Sequence, residues 1–261
     1  MRTYTNMTWP DDPYRTGQQL YRRPVPRLAA FTAGRAATGA GPAPAAMAIV
    51  YLPLHRTRPV TVTEQTLTFG FRAASIGVPA EMPGLAAIAD LDLMQARRHA
   101  AILAGHLLPR DLAALRKAGD AAALRGLAAI EDEWADRSQV PGRAAMFDCQ
   151  LDLPGSPPLE QACQRSGILS RRDSRSRPDL PAGHQAAALA VERALAIALL
   201  CARHLGRYEW TGTLRTEPVL AAATWDCLPW PVAGPFDGLA CEAAAAGPGA
   251  EAPAAASRSR Q

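Results

Sequence analysis

The sequence predicts an α+β fold, and three features of its pattern support this prediction. Residues 60–63 and 66–71 alternate apolar and polar side chains, as a half-buried strand does. Residues 84–136 place apolar side chains at helical spacing. Residues 184–205 are almost all Ala, Leu, Ile, Val and Cys, which is typical of a helix covered on most sides.

Further segments complete the predicted order of elements. A short apolar run at 48–52 and an alternating segment at 144–153 read as strands, and 167–170 reads as a weak strand. The segments 207–214 and 219–228 read as two neighbouring strands. From residue 59 onward the predicted order is therefore strand, helical region, strand, weak strand, long helix and strand.

The predicted organisation has three parts. Residues 1–45 are rich in proline and glycine and are expected to form an extended basic arm without regular structure. Residues 46–241 form the α+β body, from which a helical insertion at 84–136 projects. Residues 242–261 are mostly Ala, Gly, Pro and Ser, a composition that predicts a disordered tail.

The composition is that of a globular protein with a mild preference for anionic partners. The chain has 261 residues, of which 48% are hydrophobic and 20% charged, and its formal net charge is +4. Lys117 is the only lysine among 28 lysine and arginine residues. Arginine binds phosphate bidentately and stacks on bases, so the use of arginine instead of lysine favours nucleic acid as a partner. A GC-rich genome would give the same composition, and both explanations stay open.

The arginines are unevenly distributed along the chain. Residues 1–58 are strongly basic, residues 64–160 carry more acids than cations, and a second basic segment follows at 165–177. Two basic regions around an acidic middle predict a basic face or groove. The second segment predicts a loop that contacts phosphates, and its arginines are Arg165, Arg171, Arg172, Arg175 and Arg177.

Several classes of protein are disfavoured by the sequence. The five cysteines are odd in number and have no metal-ligand spacing, which disfavours a disulfide framework or zinc ribbon and predicts a reducing cytoplasm. The longest apolar run, 194–202, is too short to span a bilayer, so no membrane partner is predicted. His99 and His106 are seven residues apart, and no metal or cofactor is predicted.

The order of elements matches a βαββαβ ferredoxin-like core with an expanded first helix. With its abundant arginine, this layout resembles the RAMP superfamily of CRISPR-associated proteins, and it is most similar to the RNA-processing subunit of type IV CRISPR systems. The resemblance covers roughly residues 46–240 and is one of layout. Only residues 234–239 could correspond to the family's glycine-rich loop.

This resemblance implies metal-independent cleavage of a CRISPR repeat hairpin by a protein that stays bound to its product. The reaction needs a base near a ribose 2′-hydroxyl and cations on the phosphorane. His55, beside Arg58 at a strand end, is the candidate base, and Arg22, Arg23 and Arg35 are the candidate cations. The predicted RNA contacts are Arg97, Arg98, Arg165, Arg171, Arg172, Arg175 and Arg177.

Alternatives to this interpretation remain. The chain could be a non-catalytic nucleic-acid-binding subunit of a larger ribonucleoprotein or mobile-element complex, with other subunits as partners. It could also be a structural protein whose arginines reflect only genome composition. His55 in particular could be a turn histidine without a role.

Overall fold

A six-stranded mixed sheet lies at the centre of the protein. The computed structural model describes residues 1–7, 26–38, 41–55, 57–137, 141–170 and 182–224. All of them belong to one unit, Met1–Pro231. The α+β class is therefore confirmed.

The strands and helices have the following bounds. The strands are β1 (Arg2–Thr5), β2 (Arg27–Thr38), β3 (Gly41–Pro53), β4 (Val60–Thr61), β5 (Gly70–Ser75), β6 (Ile102–Gly105), β7 (Ala145–Asp148), β8 (Ile168–Leu169), β9 (Tyr208–Glu209) and β10 (Leu214–Arg215). The helices are α1 (Met82–His99), α2 (Leu108–Ala118), α3 (Arg125–Asp136), α4 (Cys149–Asp152), α5 (Leu159–Arg165), α6 (Ala182–His204) and α7 (Thr216–Thr224).

The sheet has an antiparallel half and a parallel half. Its strand order is β1-β5-β3-β2-β6-β7. The first four strands pair antiparallel, whereas β6 is parallel to β2 and β7 is parallel to β6. Two short parallel ladders, β4 with β9 and β8 with β10, lie outside this sheet.

The long hairpin of β2 and β3 corrects the prediction for residues 1–45. Arg27 pairs with Pro53 and the ladder continues to the turn, with a bulge at Gly34 and Arg35. In the described residues, β2 and β3 are the two central strands, and β1 is an edge strand. An extended arm without regular structure is therefore the wrong description of residues 2–5, 27–38 and 41–45, and the prediction for residues 8–25 lies outside the described residues.

Two of the prolines that suggested an arm, Pro42 and Pro44, lie where a strand tolerates them. Pro42 and Pro44 pair with β2 on one side, but β3 pairs with β5 only from Ala46 onward. Proline cannot donate a ladder hydrogen bond, so it is confined to strand segments with a free side. At the turn end of the hairpin, β3 is paired with β2 but not with β5, so one side of this strand segment is free of a ladder with β5.

Helices cover both faces of the sheet. Leu93, Leu112 and Trp134 of α1, α2 and α3 are buried in one cluster with Phe31 and Ile49. Alternation along a strand sends the neighbouring residues to the opposite face, where α6 contributes most of the helical side of a second cluster. The result is three layers, helix on sheet on helix.

The helical region 84–136 does not project from the body as predicted. It contains the buried strand β6, and its three helices lie against a face of the sheet. Helices on both faces also do not correspond to the predicted layout, so the ferredoxin-like arrangement is not confirmed. Residues 216–224 form α7 where a strand was predicted, and the strand predicted at 144–153 ends at Asp148, where α4 follows.

The long apolar helix predicted from residue 184 is confirmed as α6. Its segment Gly183–His204 is long and apolar enough to cross a membrane, with a mean hydropathy of 1.6, but 78% of it is buried in the protein. Small residues bring this helix close to the sheet. Gly34 lies under Ala186 and Ala190, at distances that an added methyl group would just fill.

Candidate functional site

Polar side chains gather beyond the ends of the parallel strands. β2, β6 and β7 run in the same direction, so their carboxyl ends meet at one edge of the sheet. Crevices at such edges are common ligand sites in open sheets with parallel strands. The buried polar side chains nearest to this edge are Thr32, His106, Asp111 and Asp148.

Asp111 joins α2 to the bulged part of β2. Its Oδ2 accepts hydrogen bonds from the Ala33 amide at 2.9 Å and the Thr32 hydroxyl at 3.3 Å. A guanidinium nitrogen of Arg35 lies 3.5 Å from its Oδ1. Burial raises the pKa of Asp111, while the Ala33 amide, Arg193 and Arg35 oppose this shift. With both oxygens engaged inside the protein, Asp111 serves mainly to hold the edge together.

His106 is the polar side chain at this edge that lacks a partner. It directly follows β6, is only 5% exposed, and its Nδ1 has no hydrogen-bond partner among the described residues. Burial, with a smaller contribution from Arg193, lowers the pKa of His106, and the carboxylates of Asp148 and Glu160 oppose this. The imidazole is therefore neutral at neutral pH.

Asp148 has a structural role. Its Oδ1 accepts from the amides of Leu107 at 3.3 Å and Gln150 at 2.8 Å, and its Oδ2 accepts from the Trp134 indole at 3.1 Å. A carboxylate with these partners is satisfied by the protein alone. It fixes the ends of β6 and β7 relative to α3.

A cavity of about 690 Å³ lies beside this edge, between α5, β8, α6 and the start of α7. The charges of Arg193 and Glu160, which line the cavity, act on the pKa of His106 at this edge. The apolar part of the lining is Leu159, Cys163, Ile168, Leu169, Leu189 and Ala196. The polar part is Glu160, Gln164, Ser170, Glu192, Arg193, Arg215 and Glu217.

Two of the charged lining residues are engaged by the protein itself. Glu192 is buried, and its Oε1 accepts from the hydroxyls of Ser170 and Thr216, both at 3.0 Å. Arg215 forms a two-point ion pair with Glu64, at 2.8 and 2.9 Å. The first contact ties β8 and α7 to α6, and the second fixes the cavity rim.

The two described members of the predicted catalytic set, His55 and Arg35, do not come together. His55 follows the end of β3 that pairs with Arg27, whereas Arg35 pairs with Pro44 near the opposite end of the hairpin. Nine residues of strand separate Pro44 from Pro53, which is about 30 Å. The guanidinium of Arg35 donates a hydrogen bond to the backbone carbonyl oxygen of Arg110, at 2.8 Å. The prediction that His55 and Arg35 act together is therefore wrong.

Arg97 does not fit the predicted role of an RNA contact. It is only 9% exposed, and its guanidinium makes a two-point ion pair with Glu133 of α3. Arg98 of α1 and Arg165 of α5 are exposed, so their predicted role stays open. The remaining predicted residues, Arg22, Arg23, Arg171, Arg172, Arg175 and Arg177, lie outside the described residues.

No cluster of three or more His, Cys, Asp or Glu side chains that could hold a metal ion occurs in the described ranges. The described cysteines are also poor nucleophiles. Burial raises the pKa of Cys163 to about 12 and raises those of Cys149 and Cys201 further. Buried thiols of this kind act as small apolar side chains.

The cavity was missed from the sequence because its lining is spread from Leu159 to Glu217 without a local motif. The one available signal was Glu192 and Arg193, adjacent charges in an otherwise apolar helix. No protein-family model, curated protein or solved structure matches the chain. The assignment of function therefore depends on the geometry of the site.

Proposed function

We propose that the protein binds RNA without cleaving it, as a subunit of a larger ribonucleoprotein, through the cavity and the arginine-rich segment beside it. The observation that carries this proposal is the connection between the two. Ser170 lines the cavity, and the next residues in the chain are Arg171 and Arg172. A dense cationic segment is thus attached directly to the rim of a cavity.

Chain length alone keeps these cations close to the site. Arg177, the last of them, is seven residues from Ser170, and an extended chain spans about 3.5 Å per residue. The arginines are therefore within roughly 25 Å of the rim. Phosphates supply most of the affinity for RNA, whereas unpaired bases enter pockets and give specificity. The arginine-rich segment provides the cations for the phosphates, and the cavity provides the pocket for a base.

Binding is favoured over cleavage because His55 and Arg35, the described part of the predicted catalytic set, do not converge. His55 is exposed and lies far along the hairpin from Arg35. Processing of a CRISPR repeat hairpin by a RAMP-type, ferredoxin-like domain stays a finer hypothesis, and it would need another base. A cytoplasmic location, other subunits as partners and the absence of a membrane partner are part of the same proposal.

The test is an anisotropy titration of labelled single-stranded and hairpin RNA at several salt concentrations. The variant changes Arg171, Arg172, Arg175 and Arg177 together to Ala. Each lost phosphate contact should reduce the slope of log K against log salt by about 0.7 to 0.9. We expect a loss of affinity of at least tenfold and a slope lower by two to four units, roughly one per contact.

The matched control removes exposed arginines from the opposite face, Arg110 of α2 and Arg125 of α3. We expect this variant to bind like the parent. The proposal is rejected if the parent shows no salt-dependent binding, or if the control loses as much affinity as the fourfold variant. Cleavage of the hairpin by the parent in EDTA would reject the non-catalytic part.

A further inference from the structure

Glu160 and Arg193 are exposed charged residues of the cavity lining, and within the described part of the chain neither has a partner. Glu192 and Arg215 are engaged as described above. Glu160 of α5 and Arg193 of α6 form no ion pair with each other or with any other described residue.

The rest of the lining suits a flat apolar ring. Leu159, Cys163 and Ile168 are buried, whereas Leu169 and Leu189 at the rim are 53% and 44% exposed. Exposed leucines beside a cavity are expected where a ligand covers them. Ligand cavities of about 300 to 1,000 Å³ typically combine an apolar wall with a few polar groups.

We propose that the cavity receives a guanine base from the bound RNA strand, with Glu160 and Arg193 reading its two edges. This inference rests on the proposed function, because the arginine-rich segment is what brings a strand to the rim. Arginine donates two hydrogen bonds to O6 and N7 of guanine. The adjacent N1–H and N2–H groups donate to a carboxylate, which accepts two parallel hydrogen bonds.

This pair of charges distinguishes guanine from the other bases. Adenine presents N7 beside an amino donor, and cytosine presents an amino donor beside two acceptors. Uracil offers one N–H between two carbonyls. Guanine alone has two neighbouring acceptors on one edge and two neighbouring donors on the next. A zwitterionic amino acid would also complement the two charges, but it has no use for the adjacent cationic segment.

The test compares a uridine oligomer with oligomers of the same length in which one central uridine is replaced by guanosine, inosine or 7-deazaguanosine. A good bidentate pair contributes about 1 to 3 kcal/mol of discrimination, roughly 5- to 150-fold in Kd. We expect the parent to prefer guanosine over uridine by at least tenfold. Inosine lacks the N2 amino group and 7-deazaguanosine lacks N7, so each should lose a large part of that preference.

Glu160→Gln and Arg193→Ala should each reduce the preference for guanosine to about threefold or less. Asp132→Asn and Arg125→Ala, exposed changes on α3, are the matched controls and should keep the preference. Circular dichroism and thermal melting check that every variant is folded.

Salt-dependent binding of all oligomers with equal affinity would overturn the cavity assignment and leave the proposed function standing. Retention of the preference in Glu160→Gln would overturn it as well. Absence of binding to any oligomer rejects both proposals. Displacement of the guanosine oligomer by free amino acids but not by GMP would assign the cavity to a different ligand class.

Discussion

The two faces of the central sheet differ in how their charges are paired. On the face covered by α1, α2 and α3, four arginines form ion pairs, although exposed arginines such as Arg110 and Arg125 lie there as well. Glu133 binds both Arg97 and Arg143, Arg116 binds Glu131, and Arg72 binds Asp92. On the face covered by α6, the contact with the sheet is made by small apolar side chains, and at the cavity Glu160 and Arg193 form no ion pair with any residue that the structure describes.

This difference shows why arginine abundance alone is a weak guide to function. Arg97 and Arg193 are both helical arginines, and nothing in their local sequence separates a structural role from a binding role. Their partners in the folded protein separate the two roles, because the carboxylate of Glu133 neutralises the charge of Arg97. An unpaired arginine beside a cavity is available to a ligand, and only folding reveals which arginines are unpaired.

The largest effect is expected at Glu133 on the first face. Glu133→Ala leaves the buried Arg97 without its partner, and breaking a buried pair from one side typically costs about 3 to 5 kcal/mol. Urea denaturation should show this loss in the free energy of unfolding. Asp132→Asn, an exposed neighbour, should stay within about 0.5 kcal/mol. A loss below 1 kcal/mol at Glu133 would remove the contrast between the faces.

A pH dependence is expected from Asp92 on the same face. Burial raises the pKa of Asp92 from 3.8 to about 6, although the guanidinium of Arg72, 2.8 Å away, opposes the shift. The folded protein therefore holds this proton more tightly than the unfolded chain. The stability that the proton confers is complete below pH 3.8 and is lost as the pH rises through 6.

At 1.36 kcal/mol per pKa unit, this loss is about 3 kcal/mol at neutral pH. The check is the difference in unfolding free energy between the parent and Asp92→Asn, measured from pH 4 to pH 7. We expect the parent to lose stability relative to the variant over this range. A difference that does not change with pH would show that Asp92 is not desolvated in solution.

Two smaller effects of unequal size are expected from two glycines, one on each face. A methyl group at Gly126 of α3 would lie 2.3 Å from Met94 and 2.9 Å from the Asp90 carbonyl oxygen. At Gly34 of β2 the nearest atoms would be 3.7 Å away, in ordinary contact. Gly126→Ala should destabilise by roughly 1 to 3 kcal/mol, and Gly34→Ala by no more than about 0.5 kcal/mol.

Thermal and urea unfolding measure both variants under the same conditions. The ranking is the informative result, because both substitutions add the same single carbon. A larger loss at Gly34 would mean that α6 lies closer to the sheet than the distances indicate. The face covered by α1, α2 and α3 would then not be the more tightly packed of the two faces around these glycines.

The sequence predicted the periodic elements of the fold and missed those without a period. The apolar stretch of α6 and the helical spacing at 124–134 gave correct helices. β6 was missed because four residues between two helices, three of them buried, carry no alternation. α7 was taken for a strand because a short apolar run fits either element.

The candidate site was less predictable than the fold. The resemblance directed attention to His55 and Arg35, which are 20 residues apart in the chain but lie toward opposite ends of one hairpin. Glu160 and Arg193 are further apart in sequence and line one cavity. Charges that converge through tertiary structure leave no spacing pattern, so a motif search cannot find them.

The close fit of α6 against the sheet has a consequence for hydrogen exchange. From Ala187 to Ala202 nearly every side chain of this helix is buried, so its middle amides are remote from solvent. Such amides exchange with deuterium only when the whole unit opens, whereas the end of the β2–β3 hairpin can open locally. The exchange rate of the α6 amides therefore reports the global free energy of unfolding. Ligands that bind at the cavity should slow it by the full extent of their binding free energy.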